Sequence, residues 1–175
     1  MKKIFADADM EHLFASRDSL CSKSLVQSLK EKLVADHNAV WLQTIDNMPK
    51  LRTYKLFKRT VGKESYLDLP PQYRKTLAQF RAGVFPLELE RGRWRGKPVE
   101  ERICRQCTML AVESEYHYLV ECTKYNDLRL KLAEDCNIDI NTHDDPQTIL
   151  NILFKDSNQY HISKFIIESF LTRNI

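Results

Sequence analysis

The chain has 175 residues, 43% of them hydrophobic and 29% charged, with a net charge of +3, which fits one folded domain or one with an appendage. Four glycines and six prolines are too few for a turn-rich all-β fold and favour helices. No run nears the ~20 apolar residues that cross a bilayer, so no membrane is expected, and the opening MKKIFADADMEHLF has no apolar h-region of a secretory signal.

In chain order, a short helix is expected around Met10–Arg17, and Cys21 lies outside any metal spacing. A clearer helix follows from Ser24, a plausible N-cap. Its apolar stripe is Val26, Leu29, Leu33, Val40, Trp41, Thr44, Ile45 and Met48, and Pro49 ends it. His37 on that stripe reads as a packing residue rather than a ligand.

The segment from Lys50 to Cys107 is strongly basic. It holds fifteen Lys/Arg against six Asp/Glu, a net of +9, whereas the remainder holds twelve against eighteen, a net of −6. Such a stretch, interleaved with Tyr54, Phe57, Tyr66, Tyr73, Phe80, Phe85 and Trp94, fits either an anionic partner or a solvated face. Pro70-Pro71 introduces a helix to about Ala82 capped by Gly83, with Tyr73, Leu77, Phe80 and Val84 as its apolar stripe. Leu87–Glu90 alternates like a short extended segment, and Arg91–Lys97 reads as a glycine-loosened basic loop. The candidates for phosphate contact are Arg52, Lys55, Lys58, Arg59, Arg74, Lys75, Arg81, Arg91, Arg93, Arg95, Lys97 and Arg105. Trp94 fits a base-stacking role or a place at the core edge.

Cys104, Cys107, His117 and Cys122 then give C-x2-C-x9-H-x4-C, the spacing of a closed four-ligand zinc site. Glu113-Ser-Glu115 is a polar lead-in, and Tyr116–Val120 is one short helix carrying His117. Four protein ligands leave no position for substrate, so one structural zinc ion is expected. Five cysteines, three in metal spacing, point to a reducing, intracellular compartment rather than a disulfide framework. Beyond the site, Tyr125, Leu128, Leu132 and Cys136 share a helix face, making Cys136 a core residue. Asp144 and Asp145 superficially suggest a two-metal carboxylate site, but Asp145 as N-cap before Pro146 is simpler. A final helix from about Gln159 to Thr172 turns Ile162, Phe165, Ile166 and Phe170 inward. The fold expected is all-α, with a short extended segment and a CCHC zinc knuckle. Its regions are a helical 1–49, a basic zinc-binding 50–137, and C-terminal helices 138–175 packed on that module.

The stretches KLRTYKLFK (50–58), ESYL (64–67), FRAG (80–83), ELERGRW (88–94), RICRQC (102–107) and VESEYHYLVEC (112–122) carry a resemblance. From about Leu25 to Arg129 the chain resembles the region C-terminal to the polymerase in non-LTR (LINE-type) retrotransposon reverse transcriptases. The resemblance implies a CCHC knuckle that helps hold template RNA or target DNA, and it suggests the nucleus. Thr123 stands where that family often has proline. No polymerase palm or endonuclease motif is present, so the expectation is a fragment of such an element or a gene derived from one. Two functions follow: a non-catalytic RNA- or DNA-binding module, or a zinc-stabilised interaction or structural domain. An enzyme is not expected, because no catalytic triad or glycine-rich phosphate loop is present.

Overall fold

The computed structural model describes residues 23–58, 61–139 and 146–173. The expected helix at Met10–Arg17, together with Cys21, Arg59 and the cap Asp145, lies outside them. The chain divides after Met48 into two compact units.

The first unit contains helix α1, Lys23–Asp46. Residues of high helix propensity dominate it, and Lys32–Asp36 and Gln27–Glu31 pair one turn apart. Ser24 lies inside the helix rather than at its cap. Along the expected buried stripe, Ile45 is buried and Leu29 and Trp41 are half-buried, while Val26, Leu33, Val40 and Met48 are exposed. His37 is exposed as well.

In the second unit, the short helix α2 (Tyr54–Phe57) precedes α3, Pro71–Arg81. Pro71 supplies a pre-set first turn, and Gly83, at φ +64°, supplies the stop. The Gly83 N–H donates to Phe80 O and the Val84 N–H to Gln79 O, a Schellman closure. A Cβ on Gly83 would also sit 2.7 Å from the Lys50 carbonyl oxygen. Helix α5 (Asn126–Cys136), α6 (Pro146–Leu153) and α7 (Gln159–Leu171) follow the Cys/His segment. Helices α3 and α5 both pack on α7. The core runs through Leu77, Phe80, Tyr118, Leu132, Leu153, Ile162 and Ile166, with Cys136 half-buried against it.

One expectation fails here. Glu88–Trp94 is a helix, α4, not an extended segment leading into a loop. The alternation of Leu87 and Leu89 with glutamates suggested one polar face, yet Glu88 and Glu90 are buried too. Acidic residues in the first turn and arginines in the last suit the helix dipole. Gly92 does not loosen this segment. Its missing side chain admits Arg102, whose Cγ a Cβ there would overlap. Among the described residues no strand forms, and an isolated antiparallel bridge joins Ile103 to Val112. No described helix is long and apolar enough to cross a membrane.

Candidate metal centre and basic face

The Ile103–Val112 bridge turns the chain so that Cys104 and Cys107 face back toward the following helical turn. The Cys104 N–H donates to Ala111 O at 2.8 Å, and the Glu113 N–H donates to Arg102 O at 3.0 Å. Leu110, at φ +55°, closes the tip of this loop. The other two donors come from His117–Glu121, a π-helical turn. In an α-helix, His117 and Cys122 would point about 140° apart, because five residues exceed one turn of 3.6. The wider turn, closed by Cys122 N–H donating to His117 O at 2.8 Å, brings both onto the same side. Tyr118, the next residue after His117, anchors the turn. Its buried ring packs on Phe80, Phe85 and Tyr125, and its hydroxyl reaches Ile166 O and Ser169 Oγ.

The donor atoms of Cys104, Cys107, His117 and Cys122 all lie within 4.8 Å of one another, so these side chains can hold a metal ion. Cys104 Sγ and Cys122 Sγ are 3.9 Å apart, too far for a disulfide. Metal–sulfur bonds of about 2.3 Å in a tetrahedron would place two sulfurs about 3.8 Å apart. Cys107 Sγ and His117 Nε2 are separated by 3.5 Å, against about 3.6 Å for the mixed edge of such a tetrahedron. His117 Nδ1 lies 3.1 Å from Glu121 Oε2. A neutral His117 that donates Nδ1–H to this carboxylate would leave its Nε2 lone pair for a metal. The Gln106 N–H donates to Cys104 Sγ at 3.4 Å. Burial pushes the Cys104 thiol up to about 12 and raises that of Cys122 as well. Buried thiols gathered this closely become thiolates only at a cost that a divalent cation offsets.

No protein-family model, curated protein or solved structure matches the chain.

The basic candidates divide by burial. Arg81 is buried, paired with Glu64, and its guanidinium lies over the Phe57 and Tyr66 rings at 5.6 and 5.1 Å. Lys58 is buried as well, 3.6 Å from Glu64, and donates to Gly62 O at 2.7 Å. Both are therefore corrected from phosphate-contact candidates to structural cations. Arg52 donates twice to buried Glu115, at 3.2 and 2.5 Å. Lys55 and Arg91 are half-buried, and half-buried Lys97 lies 3.8 Å from Glu101. Arg74 and Lys75 are exposed on α3, Arg74 donating to Leu67 O.

Around α4 the arrangement is different. Glu88 is shared by Arg95 and by Arg105, the latter at 3.7 Å. Glu90 accepts from Arg93 Nε at 2.9 Å and Nη2 at 2.5 Å, and also lies 3.8 Å from Lys50. Hydrogen bonding from Arg93 holds the Glu90 carboxyl below its ordinary range despite burial. Trp94 is 63% exposed, which removes the core-edge reading for it.

Several supporting residues escaped the sequence reading. Buried Glu113 accepts the Glu88 N–H at 2.6 Å, receives Arg173 at 2.8 and 3.0 Å, and stands 3.7 Å from Cys104 Sγ. Arg129 donates to the Leu119 and Cys122 carbonyls, tying α5 to the metal turn. Arg102 donates to Leu89 O and Lys97 O. Only Glu121 had a local signal, one turn beyond His117.

Proposed function

We propose that the chain is a non-catalytic module, stapled by one structural zinc ion, that binds the backbone of RNA or DNA. In this reading it derives from the C-terminal region of a retrotransposon reverse transcriptase. Three thiols and one imidazole are a donor set that zinc favours, and four protein donors reserve no position for a substrate. The observation that carries the binding role is the sharing of buried carboxylates by exposed cations beside this centre. Glu88 serves two arginines, and Glu90 serves an arginine and a lysine. Each cluster keeps one positive charge in excess, at a surface where Arg93, Arg95 and Arg105 are exposed.

The test is metal analysis of protein purified without chelator, followed by binding to an RNA hairpin and a DNA duplex titrated against salt. The reading requires one zinc per chain and an affinity that falls steeply with salt as counterions are released. Absence of binding at low salt, with zinc and helix content intact, would leave the alternative of a structural or protein-interaction domain. The internal pairing of Arg52, Lys58 and Arg81 favours that alternative for the N-terminal part of the basic stretch.

A further inference from the structure

Helix α4 is fixed to the metal centre by its backbone. The Glu88 N–H donates to the Glu113 carboxylate at 2.6 Å, and the Leu89 N–H donates to Glu113 O at 3.3 Å. Arg102 crosses behind the helix, donating to Leu89 O at 3.0 Å and to Lys97 O at 3.0 and 2.7 Å. Gly92 keeps the helix close against that arginine. Trp94 is the last residue of α4, and Gly96, at φ +67°, turns the chain away immediately after it. The indole is therefore held on a rigid support and is 63% exposed.

Its neighbours in sequence are held too. Arg93 spends Nε and Nη2 on Glu90, and Arg95 reaches back to Glu88. A guanidinium has five N–H donors, so each retains donors for a phosphate oxygen after pairing with a carboxylate. Placing these side chains in advance reduces the ordering cost of binding. An exposed flat aromatic face, with positioned guanidiniums on the residues before and after it, suits a nucleotide whose base is free to stack while its strand's phosphates meet the arginines. In a duplex the base faces are already stacked on each other, and only the phosphates remain for contact.

Resting on the nucleic-acid reading above, we infer that Trp94 is a stacking platform for an unpaired base, with Arg93 and Arg95 as its phosphate clamps. The partner is thus a single strand rather than a duplex.

The experiment uses the full zinc-loaded chain carrying Trp41→Phe, which leaves Trp94 as the sole tryptophan of the two in the sequence. Probes are a mixed-sequence DNA strand of about 20 nucleotides, the RNA strand of the same sequence, and the DNA duplex, long enough to cover a stacking site of several nucleotides. Trp94 fluorescence is quenched by the DNA strand, the RNA strand or both, and not by the duplex; the quenching polymer identifies the partner. Trp94→Ala weakens single-strand binding about tenfold or more, leaves duplex binding unchanged, and leaves the salt slope unchanged because the same phosphates stay neutralised. Trp94→Phe retains most of the affinity. Zinc content and circular dichroism of the variants confirm that the fold is intact. Single-strand binding by Trp94→Ala equal to that of the parent, or equal quenching by duplex and single strand, would overturn this inference and leave the backbone-binding reading standing. Absence of binding to all three probes would overturn both.

Discussion

Arg52, Lys58 and Arg81 come from the same basic stretch as Arg93, Arg95 and Arg105, and both groups meet glutamates. In the first group the cations are more deeply set: the Arg81 side chain is 4% exposed, the Lys58 side chain 11% and the Arg52 side chain 32%. In the second, the side chains of Arg93, Arg95 and Arg105 are 45%, 43% and 63% exposed, while the carboxylates beneath them stay buried. The first group closes the fold around Glu64 and Glu115. Cations outnumber their carboxylates in both groups, since Glu64 also serves two, but in the second the cations reach the surface. Positive charge counted along a sequence is therefore not the charge offered to a partner. What decides is whether the cations that share a buried carboxylate are themselves buried or reach solvent.

The largest effect should come from the Cys/His cluster itself. Cys104→Ser or Cys122→Ser should abolish metal binding, removing on the order of 10 kcal/mol of metal-linked folding energy and unfolding the knuckle. Cys136→Ser should keep the full metal content. Metal analysis with thermal melts of all three variants checks this, and a fully metallated, cooperatively melting Cys122→Ser protein would exclude the assignment.

Next in size is the buried side of the comparison. Arg81→Ala removes a buried guanidinium that pairs with Glu64 and lies over the Phe57 and Tyr66 rings, and should cost about 3–5 kcal/mol in urea denaturation. The folded fraction should still bind nucleic acid with parental affinity. A stable variant with weakened binding would reverse the role given to Arg81.

Gly92→Ala should cost about 1–3 kcal/mol, because the new methyl group overlaps an Arg102 side chain that its hydrogen bonds hold in place. An unchanged denaturation midpoint would mean that α4 is not seated against Arg102.

The smallest effect concerns acid. Arg93 holds the folded-state carboxyl of Glu90 below its unfolded value, so the unfolded chain takes up its proton first as pH falls. The stability this pair contributes is fully present above the ordinary carboxylate range and is lost as pH drops through the lower folded value. Glu90→Gln should flatten that acid limb of a stability–pH curve, and a limb of unchanged steepness would assign acid sensitivity to another carboxylate.

The Cys/His cluster was legible in the sequence because its four donors fall within one short stretch and their chemistry is distinctive. Helix α3 was legible for a similar reason, with prolines at its start and Gly83 at its stop. Helix α4 was not, since burial of Glu88 and Glu90 depends on arginines that fold back on them and made a helical segment look alternating. Nor was the Glu113–Arg173 pair, whose partners stand sixty positions apart. The apolar stripe of α1 was legible as a helix, but not the exposure of Val26, Leu33 and Val40 beside a buried Ile45. Periodicity reports which residues share a face and says nothing of what covers it.

The most direct test of the account is the salt dependence of single-strand binding for the parent and for the double variant Arg93→Ala/Arg105→Ala. Each substitution leaves its carboxylate with a second cation, Lys50 for Glu90 and Arg95 for Glu88, so the fold should hold. The slope of log affinity against log salt should become shallower by about 0.7 for each phosphate that is no longer neutralised. An unchanged slope in a folded, zinc-loaded variant would contradict the assignment of this face as the nucleic-acid surface.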